Sequence, residues 1–278
     1  MAERVRAIKE SGAKLHGDIL ITVHGMHEAP WAYGETLCRR IDKGYMGDAV
    51  IVMEGPTHEL AVIAKGAGIF EIDMTQERAF VHQGLAGGVV GIAAPIVAGT
   101  RLVQAFTDRN VDLAQMDLPY VGPEVYFVGI LRSGDLYNRT PTHCHLEGTW
   151  RYGPDHTYAE VEAKFHAIVK RVAAETGADI RAKMTCDRGA FRIDPETPVA
   201  VALQAAYAQV YDRPLPLGGM MACADAAPFV EAGVPATYHG PQDESAHADI
   251  EYAVLESLVN AAKVYLLAAL QHVGLDTA

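Results

Sequence analysis

The feature that most constrains this chain is a pair of apolar runs without alternation, Asp18-Ile-Leu-Ile-Thr-Val-His24 and Asp48-Ala-Val-Ile-Val-Met-Glu54. A strand with one wet face alternates apolar and polar residues, because successive side chains point to opposite faces. A continuous run rich in β-branched residues instead predicts a strand covered on both faces, as in a parallel sheet flanked by helices. Residues 37–41, between the two runs, read as helical, so the pair forms a βαβ unit. A short amphipathic helix over residues 3–15, carrying Val5, Ile8 and Leu15 among charges, precedes it.

From about Leu60 the texture changes to half-alternating runs at residues 61–74, 124–131 and 142–150, with turn signals such as Ser133-Gly134 between them. Helical segments at 88–106 and 158–176 interrupt them, the second with a stripe of Val161, Phe165, Ile168 and Val172 ended by Gly177. The order β, α, β, β, α, β predicts a small α+β domain of ferredoxin-like type over residues 62–185. The chain then returns to α/β texture, so this domain is expected as an insertion into an α/β domain built from residues 1–61 and 186–278. The closing part reads as a helix at 199–211, a Gly-rich turn at Gly218-Gly219, a helix at 224–232 capped by Gly233, a strand at 236–239 and a last helix using Leu255, Leu258, Val259, Ala262, Leu266 and Leu270.

Composition narrows the function. At 278 residues, 50% hydrophobic and 21% charged, the chain can bury a substantial core, which argues against disorder. A formal charge of −12 argues against nucleic acid, whose phosphates need clustered Lys and Arg. Cys38, Cys144, Cys186 and Cys223 lie far apart with no C-x-x-C pairing, which suggests neither a disulfide framework nor a thiolate zinc site and fits a reducing cytoplasm. The start, Met1-Ala-Glu-Arg-Val-Arg6, lacks the apolar core of a signal peptide. The longest apolar stretch, residues 85–99, is broken by glycines and Pro95 and is shorter than the roughly 20 residues that span a bilayer, so no membrane partner is expected.

In open α/β sheets ligands bind at the C-terminal ends of the strands. The first run ends in His24-Gly-Met-His27-Glu28, the second in Glu54-Gly55-Pro56, and the last strand runs into His239-Gly-Pro-Gln-Asp243-Glu244-Ser-Ala-His247. Carboxylates and imidazoles converging on one rim are the donor set of a zinc-type cation. Taken singly, each of these is more often a cap or a solvated loop residue; their coincidence at three strand ends carries the reading. His143-Cys-His145 also places two imidazoles on one strand face, and it reads as a paired surface or core histidine rather than a metal site.

Residues 17–28 and 47–54, taken with Asp225-Ala-Ala-Pro-Phe-Val-Glu-Ala-Gly-Val-Pro235, His239-Gly-Pro and His247-Ala-Asp-Ile-Glu251, resemble in order and spacing the aminoacylase/acetylornithine deacetylase/succinyl-diaminopimelate desuccinylase/carboxypeptidase G family of metallopeptidases. The resemblance implies a phosphorylase/peptidase-like domain with a mainly parallel sheet, carrying the inserted domain as a lid. Glu28 matches the second residue of the family's Glu-Glu pair, a metal ligand. The first position, the general base in the family, is His27, so either His27 or Glu28 would act as base. Glu54 matches the acidic ligand of one metal and His247 the histidine ligand of the other. His82 resembles the histidine that reaches across a dimer to the reacting carbonyl, Asn138 a substrate-binding asparagine, and Arg151 a residue that neutralises a substrate carboxylate, for which a surface ion pair is the competing reading.

The implied activity is hydrolysis of the amide bond in N-acyl amino acids or small peptides by a homodimer with two divalent metals per subunit, zinc by ligand type. The family's His-x-Asp motif and metal-bridging Asp precede the helix that begins near Met1 and have no counterpart, so an N-terminally truncated member is expected. The rival reading is a catalytically inactive dimeric scaffold or binding protein on the same fold.

Overall fold

The computed structural model describes residues 2–25, 27, 29, 31–77, 94–137, 139–241, 245–246 and 248–276. In chain order the elements are α1 (Ala2–Ser11), β1 (Lys14–Leu15), α2 (Glu35–Asp42), β2 (Val50–Val52), β3 (Leu60–Ala64), β4 (Gly66–Thr75), α3 (Ala94–Leu113), β5 (Val125–Ser133), β6 (His143–Tyr152), α4 (Tyr158–Thr176), β7 (Asp179–Arg188), β8 (Phe191–Arg192), α5 (Pro198–Tyr211), β9 (Leu217–Met220), α6 (Ala227–Glu231), β10 (Ala236–Tyr238), α7 (Leu255–Val273) and β11 (Leu275–Asp276). They fall into two compact units, one of residues 1–64, 119–121 and 190–278 and the other of residues 65–118 and 122–189. No described helix is long and apolar enough to cross a membrane.

The first unit holds a five-stranded mixed sheet. β10 pairs in parallel with β2, from Ala236 opposite Val50 to Tyr238 opposite Val52, and antiparallel with β3 at Tyr238 and Ala61. β3 pairs antiparallel with β8 and parallel with β9. The expectation of a mainly parallel sheet is therefore corrected. Parallel neighbours need a crossover of a dozen or more residues, whereas β2 passes to β3 through residues 53–59, a link that returns the chain in the opposite direction.

The strand buried on both faces is also not where the first apolar run stands. Residues 18–24 form no strand, and Leu20, Ile21 and Val23 are exposed. A strand needs ladder partners for its N–H and C=O groups, and among the described residues no strand pairs with this run, so the βαβ unit is not formed. β3 takes the central role instead: Leu60, Ala61, Val62, Ile63 and Ala64 are all buried, and all but Ile63 share a core with Leu203, Tyr207, Tyr238, Val264 and Tyr265. The single run read over residues 61–74 is thus two strands. The first is covered on both faces and the second, β4, alternates. Gly218-Gly219, read as a turn, lies within β9, where a Cβ on Gly219 would come within 2.9 Å of the Ile63 side chain.

The second unit is a four-stranded antiparallel sheet in the order β5-β6-β4-β7 with connectivity βαββαβ. α3 and α4 cover one face, where Phe70 of β4 meets Phe106 of α3 at 5.2 Å and Phe165 of α4 at 5.3 Å between ring centroids, and Tyr126 stacks on Trp150 at 4.4 Å. Local signals delimit α4. Thr157 and Glu160 form a reciprocal capping box, and Gly177 closes the helix at φ 67°. α3 runs on to Leu113, beyond the expected end at 106, because Leu113 continues the buried stripe of Leu102 and Phe106 and no Gly or Pro follows Gly99 within the helix. The other sheet face carries Asp73, His143, His145 and Glu147.

Candidate metal centre

β2 and β10 run side by side in parallel, so their C-terminal ends deliver Glu54 and the Tyr238-His239-Gly240 corner to one place. Two glycines permit the approach. Gly55 sits at φ 101°, and a Cβ there would lie 2.4 Å from the Tyr238 ring; a Cβ on Gly240 would lie 2.6 Å from the backbone of Glu54. The Tyr238 hydroxyl donates a short hydrogen bond to Glu54 Oε2. Burial, and then the neighbouring Glu54 carboxylate, push the Tyr238 phenol far above its ordinary range, so it stays a proton donor.

The third component is Asp225, on the segment leading into α6 and 3% exposed. Its Oδ2 accepts from His24 Nε2 at 2.8 Å and from His27 Nδ1 at 2.9 Å, while His27 Nε2 stands 4.0 Å from Glu54 Oε1. The loop bearing both histidines is tied down by the Thr36 hydroxyl, which donates to the Gly25 carbonyl. His27, Glu54 and Asp225 can each offer one donor atom, all within 4.8 Å of one another.

One imidazole nitrogen and two carboxylate oxygens are a donor set for zinc and similar divalent cations. Two carboxylates this close repel unless a positive charge lies between them, which a cation supplies. His24 Nδ1 is in addition a buried nitrogen with no hydrogen-bond partner among the described residues. Asp225 forms the buried wall, and Glu54 with His27 forms a partly exposed one. The residues present therefore fit a divalent metal.

Of the residues singled out from sequence, His27 and Glu54 are brought together here. Glu28, His82, Asn138 and His247 lie outside the described residues. Arg151 lies in the second unit, on β6, with Nη1 buried and without a hydrogen-bond partner among the described residues. His239, read as part of the strand-end rim, faces the core. Its Nε2 donates to the Thr57 carbonyl at 2.9 Å and its ring meets those of Tyr207 and Tyr265 edge-on. Burial pushes its imidazole down to about 4, against the opposing effect of the Thr57 bond, and His58 nearby lowers it further.

Sequence reasoning passed over His24 and Asp225 as site residues. A signal existed for Asp225: it is the one charge in the small-residue stretch Ala222-Cys-Ala-Asp-Ala-Ala227, and a carboxylate buried in such a stretch needs partners.

Residues 1–271 match the model of the peptidase family M20/M25/M40. Among solved structures, the aminopeptidase PepT of Bacillus cereus superposes with a TM-score of 0.76 at 18% identity, covering 98% of this chain and 68% of that one. Human carnosine dipeptidase 1 gives 0.71 at 12% identity, covering 98% and 69%. The YxeP protein of Bacillus subtilis, described as a dinuclear metal-binding peptidase of the M20 family, gives 0.57 at 15% identity, covering 85% and 61%. At these identities the likeness establishes the fold.

Proposed function

The chain belongs to the peptidase family M20/M25/M40, and from that premise we propose that it is a metal-dependent hydrolase of the amide bond in di- or tripeptides or N-acyl amino acids. The observation that carries the reading is the convergence of His27, Glu54 and Asp225 from three distant parts of the chain.

In this reading His27, Glu54 and Asp225 hold a divalent cation, zinc by donor type, and Glu28 and His247 complete a two-metal site of the kind named for the Bacillus subtilis protein. When bound, the metal supplies a Lewis acid at the scissile carbonyl. The chain's own groups do the rest. Asp225, accepting from both His24 and His27, fixes the orientation of each ring. Tyr238 occupies Oε2 of Glu54 and so turns Oε1 toward His27. The proton that leaves the attacking water and reaches the departing amine passes through Glu28, or through His27 where Glu28 takes its place on the metal, since His27 gives Nδ1 to Asp225 and has only Nε2 for either role. His82 stabilises the developing oxyanion, Asn138 binds the substrate, and Arg151 neutralises its carboxylate. The second unit serves as lid and as the contact of a homodimer.

The test is hydrolysis of a panel of dipeptides, tripeptides and N-acetyl amino acids after chelation and after return of zinc, manganese or cobalt. Zinc should restore hydrolysis, and Glu54→Ala or His27→Ala should lower kcat/KM by at least about a hundredfold. Hydrolysis that survives chelation, or metal loading without any hydrolysis, would overturn the proposal; the latter outcome favours the inactive scaffold.

A further inference from the structure

We propose that the face of the second unit's sheet opposite α3 and α4 carries a separate single-ion site for a borderline transition metal such as zinc, nickel or copper, formed by Asp73, His143 and His145. The register builds it. Asp73 of β4 lies directly opposite His145 of β6, and His143, two positions earlier on β6, opposes Thr75, so all three side chains stand on one face. Both imidazoles converge on the same atom: His143 Nε2 and His145 Nδ1 are each 2.8 Å from Asp73 Oδ1. One donor atom from each residue lies within 4.8 Å of the others.

A second, independent feature distinguishes this group from a chance surface ion pair. The remaining ring nitrogen of His145, Nε2, is 2.7 Å from Glu147 Oε1. A metal-ligating histidine characteristically gives its outer N–H to a carboxylate, which fixes the tautomer and raises the basicity of the inner nitrogen. Glu147 is placed to do this for His145. The two strands are paired along their whole length, from Gly66 opposite Tyr152 to Thr75 opposite His143, so the ligands stand on a rigid scaffold. The side chains are partly exposed, which lets an ion enter from water.

Two imidazoles and one carboxylate select borderline cations over magnesium or calcium, which prefer all-oxygen shells. Arg181 opposite Asp73 and Arg132 opposite His145 flank the group, so affinity must come from the nitrogen donors rather than from a field of negative charge. Nothing in this inference depends on hydrolytic activity or on His27, Glu54 and Asp225.

The experiment uses the full chain carrying His27→Ala and Glu54→Ala, which disable the first centre at two partly exposed positions. Isothermal titration with zinc should then still find an ion whose binding falls at least tenfold with His143→Ala or with Asp73→Asn, and by roughly ten- to a hundredfold with Glu147→Gln. Circular dichroism and urea unfolding check that each variant is folded. As a readout that needs no substitution in the sheet, cobalt(II) added to this background should broaden the imidazole proton signals of His143 and His145 before those of His16 and His272. The proposal is overturned if 100 µM zinc gives no binding, if binding is unchanged in a folded His143→Ala or Asp73→Asn variant, or if cobalt broadens the distant histidines equally.

Discussion

Gly240→Ala tests whether the close passage of the two strand ends creates the metal centre. The added methyl would stand 2.6 Å from both the Cα and the carbonyl carbon of Glu54 and 2.8 Å from its nitrogen, all of them backbone atoms that cannot rotate away. An ordinary carbon–carbon contact is roughly 3.5 Å, so the segments around Glu54 and Gly240 must part by about 0.9 Å. Overpacking of this kind costs about 1–3 kcal/mol. A displacement near 1 Å of a group that positions the reaction costs about a hundredfold in rate. Glu54 would move with its backbone and so shift against His27, Asp225 and Tyr238. The measurements are the urea midpoint, zinc affinity by titration and kcat/KM, set against Gly47→Ala, where the added methyl meets nothing closer than 3.5 Å. If Gly240→Ala matches Gly47→Ala in all three, the steric reasoning is wrong and Glu54 is not held by this contact.

Two further outcomes follow from the cores. His239 is held neutral in the fold, so the stability it contributes is fully present above its ordinary value and is lost as pH falls toward about 4; the gap from 6.5 amounts to about 3 kcal/mol at roughly 1.36 kcal/mol per pH unit. Urea unfolding at a series of pH values should show a slope between pH 6.5 and 4 that His239→Gln flattens, and an unchanged slope would refute the assignment. In the second unit, Phe70→Ala empties the contact with Phe106 and Phe165 and should cost about 3–5 kcal/mol, read from the denaturation midpoint, with a loss below about 1 kcal/mol counting against that packing.

What the sequence determined by itself is mostly local. α4 could be placed between Thr157 and Gly177 because a capping box and a left-handed glycine satisfy orphan backbone groups within a few residues of where they occur. The mixture of helices and strands, and the family motifs in their order along the chain, were legible for the same reason: each is a short pattern of residues read in place. The strand-end acid Glu54 could likewise be singled out from its position after an apolar run.

Pairing was decided elsewhere. The run at residues 18–24 has the composition of a buried strand and is not one, while Leu60–Ala64 is, because burial on both faces depends on which strands lie alongside rather than on the run itself. Asp225 meets histidines 201 and 198 residues away, and Asp73 meets His145 across 72 residues, so neither cluster is visible as a motif. Local preferences are set by φ, ψ and neighbouring side chains and travel with the sequence. A donor set assembled from distant segments exists only once the register of the sheets has brought those segments within a few ångströms of one another.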